Sequence, residues 1–102
     1  VVDLALAHLA ALRALDQTDG CVPYNIGTGT GYSVLELVEA SRQASGKEIA
    51  YEILPRRAGD VAECYADPRL AAEKLQWRAE RGLDAMVADA WRWHRANPEG
   101  FD

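Results

Sequence analysis

Apolar residues recur every three or four positions in several segments of the chain, which is the spacing of an α-helix with one buried face. The first predicted helix runs from about Asp3, a suitable N-cap, to about Leu15. Its predicted buried face carries aliphatic side chains at this spacing: Val2, Leu6, Leu9 and Leu12.

Three further helices are predicted from residues that are typical of helix termini. Ser33 and Glu36 form a capping box, in which each side chain bonds the other's backbone N–H, and Gly46 can end that helix in the left-handed conformation. Asp67-Pro68 supplies an N-cap and a first-turn proline for a helix through about Leu75. The last helix begins at about Leu83 and is stopped by Asn97-Pro98.

Two short segments are predicted as strands. Residues 22–27 read as a strand with Pro23 at its entry, and residues 49–54 alternate apolar and polar side chains, with Ile49, Tyr51 and Ile53 on one face. Two strands seldom form a stable sheet, since three or more are usually needed. We therefore expect an α/β fragment of about four helices and two or more short strands, whose partner strands lie elsewhere.

Composition narrows the class of protein. A length of 102 residues suits one domain, and a net charge of −5 argues against nucleic acid as a partner. No apolar run approaches the roughly 20 residues that cross a bilayer, so no membrane partner is expected. The two cysteines, Cys21 and Cys64, lack the spacing of metal ligands and are expected to be reduced thiols in a cytoplasmic protein, with no metal bound.

The segment Pro55-Arg56-Arg57-Ala58-Gly59-Asp60 concentrates candidate chemistry in one short loop. A guanidinium matches phosphate oxygens in pairs, and a nearby carboxylate can accept hydrogen bonds from ribose hydroxyls. Such a loop can hold an anionic sugar nucleotide. The alternative is a solvated turn in which the arginine and aspartate pair only with each other.

The order and spacing of several motifs resemble the UDP-glucose 4-epimerase family of extended short-chain dehydrogenases. The motifs are Val1-Val2-Asp3-Leu4-Ala5, Tyr24-Asn25-Ile26-Gly27-Thr28-Gly29, Ser33-Val34-Leu35-Glu36-Leu37-Val38, the 55–60 loop and Trp91-Arg92-Trp93. The resemblance implies that residues 1–102 are the C-terminal, UDP-sugar-binding part of a Rossmann-type enzyme of galactose metabolism. NAD would be bound by an N-terminal domain outside this chain, and the intact enzyme would be a homodimer.

The resemblance also assigns residue roles. Arg57 matches the family's diphosphate-binding arginine, Asp60 matches its partner carboxylate near the uridine ribose, and Cys64 lines the sugar pocket. A small thiol at Cys64 implies that UDP-GlcNAc and UDP-GalNAc are accepted as well as the plain hexoses.

No catalytic or cofactor-binding residue is expected in the chain. It contains no Tyr-x-x-x-Lys pair, so it is expected to be inactive alone. The loop Gly27-Thr28-Gly29-Thr30-Gly31 lacks the third glycine of a dinucleotide fingerprint, since Tyr32 stands there, and it is interpreted as structural.

Two other functions remain open at this point. One is another sugar-nucleotide epimerase or dehydratase of the same superfamily, and the other is a helical interaction module without enzymatic activity. We also expect the isolated chain to self-associate, because unpaired strand edges and an incompletely covered first helix recruit other copies.

Overall fold

Four α-helices make up the regular structure of residues 1–101, the part of the chain that the computed structural model describes. They are α1, Val2–Ala14, followed by a 3-10 turn at Leu15–Gln17; α2, Val34–Ser45; α3, Arg69–Lys74; and α4, Leu83–Ala96. The four predicted helices are therefore confirmed. The N-cap of α3 is Pro68 and its first residue is Arg69, so the prediction of Asp67 as N-cap and Pro68 in the first turn was wrong. None of the four helices combines the length and the apolar composition that a bilayer crossing requires.

The helices belong to two units that alternate along the sequence. Unit 1 comprises residues 1–31 and 63–80, and therefore contains α1 and α3. Unit 2 comprises residues 32–62 and the residues from 81 onward, and contains α2 and α4. Each unit is thus assembled from two separate stretches of chain.

The two predicted strands are not formed. Residues 22–27 and 49–54 contain no strand, and no backbone hydrogen bond joins either segment to another part of residues 1–101. A strand requires a neighbour that completes its hydrogen-bond ladder, and the two segments belong to different units. The strand part of the α/β prediction is therefore not supported by this chain's own structure.

The core of unit 1 is built around Trp77. Ala7 of α1 is buried together with Ala71, Leu75 and Trp77, and the Trp77 indole N–H donates to the Asp3 carbonyl oxygen at 3.1 Å. The Asp3 carboxylate also accepts a hydrogen bond from the backbone N–H of Glu80 at 3.0 Å. Asp3 lies inside the first turn of α1 and not at its N-cap, so that prediction was wrong.

The predicted buried face of α1 is exposed. Ala7, Ala10, Ala11 and Ala14 contribute the side that packs into the core, because small side chains let the helix approach its neighbours closely. The larger aliphatic side chains remain 40–61% exposed, since no segment of residues 1–101 covers them: Val2, Leu4, Leu6, Leu9, Leu12 and Leu15. A helix that is apolar on nearly every side is normally buried on every side.

Unit 2 is formed by the packing of α2 against α4, with Ala40 and Val87 buried. The capping box is confirmed, since the Ser33 hydroxyl accepts from the Glu36 N–H at 3.1 Å and the Glu36 carboxylate accepts from the Ser33 N–H at 2.7 Å. These two hydrogen bonds lower the pKa of Glu36. Gly46 ends α2 with φ of 64°, as predicted.

The glycine-rich loop 27–31 contacts the segment before α3. A Cβ at Gly27 would lie 3.0 Å from the Cβ of Ala66, and one at Gly31 would lie 3.2 Å from the Tyr65 ring. Gly29 also needs its positive φ of 74°. The repeated glycines therefore have a packing function within unit 1.

We expect Gly27→Ala to lower the free energy of unfolding by about 1–3 kcal/mol, because the added methyl group overpacks against Ala66. Chemical denaturation of the chain measures the effect. Ala66→Gly removes the opposing methyl group, so the double variant should cost less than the sum of the two single changes. Strictly additive effects would contradict this explanation of the loop.

Candidate functional site

A tight turn over residues 57–60 lies on the surface of unit 2 and contains two of the predicted substrate-binding residues, Arg57 and Asp60. The Asp60 backbone N–H donates to the Arg57 carbonyl oxygen at 3.3 Å, which closes the turn. Gly59 occupies its third position with φ of 89°. A positive φ at this position is typical of a type II turn and explains why glycine stands there.

The turn brings the side chains of Arg57 and Asp60 together. Arg57 Nε donates to Asp60 Oδ2 at 3.3 Å, and the two side chains are 87% and 42% exposed. An exposed pair of this kind contributes little to stability, about 0–1 kcal/mol. The contact expected from the alternative interpretation, a solvated ion pair, is thus present.

The ion pair leaves most of the hydrogen-bonding capacity of both groups unused. Only Nε of Arg57 and Oδ2 of Asp60 take part in the contact, so among residues 1–101 the Nη1 and Nη2 edge of the guanidinium has no partner. That edge can donate two parallel hydrogen bonds to a phosphate, and Oδ1 can accept from a hydroxyl group. Arg56 is also exposed and adds a second positive charge to the loop.

Cys64 carries an exposed, free thiol, as does Cys21. Cys64 belongs to unit 1, whereas Arg57 and Asp60 belong to unit 2. The structure thus pairs two of the three predicted site residues, and the assignment of Cys64 to the same site stays a prediction.

Sequence reasoning missed the ion pair between Asp67 and Arg69. Arg69 Nη2 lies 2.6 Å from Asp67 Oδ2, and the Arg69 backbone N–H donates to Asp67 Oδ1 at 3.1 Å. The hydrogen bonds from Arg69 lower the pKa of Asp67. The spacing of the two residues on either side of Pro68 was the available sequence signal. It lets the Asp67 carboxylate accept from both the backbone N–H of Arg69, the first residue of α3, and the Arg69 guanidinium.

The part of the chain that the structure describes offers no evident metal centre. No group of three or more histidine, cysteine, aspartate or glutamate side chains is arranged to hold an ion within residues 1–101. The chemistry available at the turn is therefore anion binding by a guanidinium with an adjacent carboxylate.

Comparison with known proteins gives consistent results. The human UDP-glucose 4-epimerase is 59% identical over 101 residues, which are 99% of this chain and 29% of that protein. The Bacillus subtilis UDP-glucose 4-epimerase is 52% identical over 101 residues, with 99% of this chain and 30% of that protein covered. No protein-family model matches the chain.

Solved structures agree with the sequence relatives. The UDP-glucose 4-epimerase of Bifidobacterium longum in complex with NAD⁺ and UDP matches 98% of this chain and 30% of its own, with a TM-score of 0.84 and 48% identity. The Stenotrophomonas maltophila enzyme, with bound NAD and formylated UDP-arabinopyranose, matches 94% of this chain and 29% of its own, with a TM-score of 0.86 and 42% identity.

The chain spans about 30% of the length of these relatives and matches their C-terminal part. The resemblance to UDP-glucose 4-epimerases is therefore confirmed over nearly all residues of this chain.

Proposed function

We propose that this chain is the substrate-side, C-terminal part of a UDP-glucose 4-epimerase, which inverts the configuration at C4 of a UDP-hexose. The exposed Arg57–Asp60 turn is the observation that carries the proposal, taken together with 52–59% identity to proteins of that name. The longer protein would have the α/β, Rossmann-type fold, in which segments 22–27 and 49–54 join the strands of a larger sheet.

Arg57 would bind the diphosphate of the substrate. Asp60 accepts from Nε at 3.3 Å and thereby orients the guanidinium, while the Nη1 and Nη2 edge is left for phosphate oxygens. With a net charge of −5, the chain as a whole would repel the substrate, so local guanidiniums must supply the attraction. Asp60 Oδ1 would accept a hydrogen bond from a ribose hydroxyl.

NAD would be held by residues outside this chain. The glycines of the 27–31 loop contact Tyr65, Ala66 and Pro68, and the loop lacks the dinucleotide fingerprint, so these residues do not fit the cofactor. When bound to the longer enzyme, NAD would accept and return the hydride at C4. The contribution of this chain is to bind and orient the UDP end of the substrate.

We expect Arg57→Lys in the longer enzyme to lower kcat/KM for UDP-galactose by roughly 10- to 100-fold, because lysine keeps the charge but loses the paired donors. Steady-state kinetics measures the effect. The matched control is Arg56→Lys, for which we expect less than about a threefold change, since no paired role is assigned to it.

The thermal midpoint of the Arg57→Lys variant should stay close to that of the unmodified enzyme, because the ion pair is exposed. Equal losses for the two arginine variants would argue against a specific diphosphate contact, and an unaffected Arg57→Lys enzyme would disprove it.

We further propose that Cys64 admits N-acetylated sugars. Its thiol is small and exposed, and it lies in a stretch without regular secondary structure, so it would leave room for an acetamido group. The longer enzyme would then interconvert UDP-GlcNAc and UDP-GalNAc in addition to the plain hexoses.

Cys64→Tyr should reduce turnover of UDP-GlcNAc at least about tenfold while turnover of UDP-galactose is largely retained, because the larger ring fills the space for the acetamido group. Coupled assays with both substrates measure the ratio. Cys21→Tyr, at another exposed cysteine, should leave the ratio unchanged. An unmodified enzyme without activity on UDP-GlcNAc would overturn this assignment.

The isolated 102-residue chain would self-associate through α1. Five large aliphatic side chains of this helix and Leu15 of the turn that follows are 40–61% exposed, and an apolar surface of that kind is stabilised by contact with a second copy. In the longer enzyme the same surface would be covered by other segments of the protein.

We expect sedimentation analysis to detect dimers or larger species of the isolated chain at high micromolar concentration. Leu12→Lys should shift the population toward monomer, because it places a charge on the aliphatic surface. Val61→Lys, which alters a side chain 70% exposed outside α1, is the control and should have no effect. A monomeric unmodified chain would refute the proposal.

A further inference from the structure

A groove in unit 2 combines an apolar floor with a lysine that forms no ion pair within residues 1–101. The cavity lies between α2 and α4 and has a volume of about 360 Å³, within the range of small-molecule sites. Its apolar lining includes Ile49, Val87, Ala90 and Trp91. Val87 is buried and Trp91 is half-buried, so the floor of the groove belongs to the packed interface of the two helices.

The rim of the groove carries one lysine and one glutamate. The Lys47 ammonium lies 5.3 Å from the centroid of the Trp91 ring and forms no ion pair within residues 1–101. The carboxylate of Glu48 also lines the groove and lies 3.7 Å from Arg42 Nη1, although Arg42 pairs more closely with Glu39, at 2.8 Å. Lys47 is therefore the cation of the rim that has no anionic partner.

The indole of Trp91 lies next to that cation, and a second ring lies beside the indole. The rings of His94 and Trp91 lie 5.9 Å apart, tilted by 31°, and both line the groove. A planar apolar ligand could contact the indole and the aliphatic floor while an acidic group meets Lys47.

We propose that this groove binds a small planar aromatic carboxylate. The ring system would lie against Val87 and Trp91, and the carboxylate would pair with the Lys47 ammonium. The inference is independent of the proposed UDP-sugar function, because none of its residues belongs to the 55–64 segment.

The test uses 2-naphthoate as the probe and the 102-residue chain labelled with ¹⁵N at its three tryptophans. The indole N–H signal of Trp91 should shift saturably on titration. Trp77, whose indole is bonded to Asp3 in unit 1, serves as an internal control for folding and specificity and should not shift. The uncharged analogue 2-naphthalenemethanol should bind roughly two- to fivefold more weakly, the difference expected for one exposed ion pair.

Lys47→Gln should remove the preference for the acid over the alcohol, and Lys74→Gln, at the other lysine of the chain, should preserve it. Added salt should weaken the binding of the acid to the unmodified chain. The proposal is overturned if Trp91 shows no saturable shift, if Trp77 shifts equally, if acid and alcohol bind alike, or if Lys47→Gln keeps the preference.

Discussion

The indole of Trp77 is the contact on which unit 1 depends. Its ring is buried with Ala7, Ala71 and Leu75, and its N–H bonds the carbonyl of Asp3, 74 positions earlier in the sequence. A buried indole N–H without an acceptor would be costly, so this bond fixes the ring as well as the start of α1. The alanine side of α1 packs inward because a large aromatic side chain already fills the space opposite it.

The helices could be predicted from the sequence because their signals are local. The Ser33–Glu36 capping box and the left-handed Gly46 involve residues within a few positions of one another, and both are present as expected. The strands could not be predicted in this way, because alternation at residues 49–54 describes a side-chain pattern and says nothing about a hydrogen-bonding neighbour. The side of α1 that faces inward could not be predicted either, because alanines and leucines recur with the same helical spacing and only the tertiary contacts distinguish them.

The candidate site was predicted in part. The composition of the 55–60 loop indicated paired charges, and the structure contains the pair Arg57–Asp60 on a turn that Gly59 makes possible. Their assignment to a diphosphate and a ribose depends on the resemblance to UDP-glucose 4-epimerases, because the same two side chains also suit a solvated turn. The Asp67–Arg69 pair was missed because a good N-cap residue explained Asp67 without any reference to the following arginine.

The interleaving of the two units affects the order in which the chain can fold during synthesis. α1 leaves the ribosome before the rest of unit 1, whereas Ala71, Leu75 and Trp77 follow only after the first stretch of unit 2. Until then the alanine side of α1 lacks its native neighbours and is exposed to water, as the leucines of the helix are. Closing such a long loop slows folding, so this segment is exposed to aggregation for longer than one in which each helix packs against the next segment of the chain.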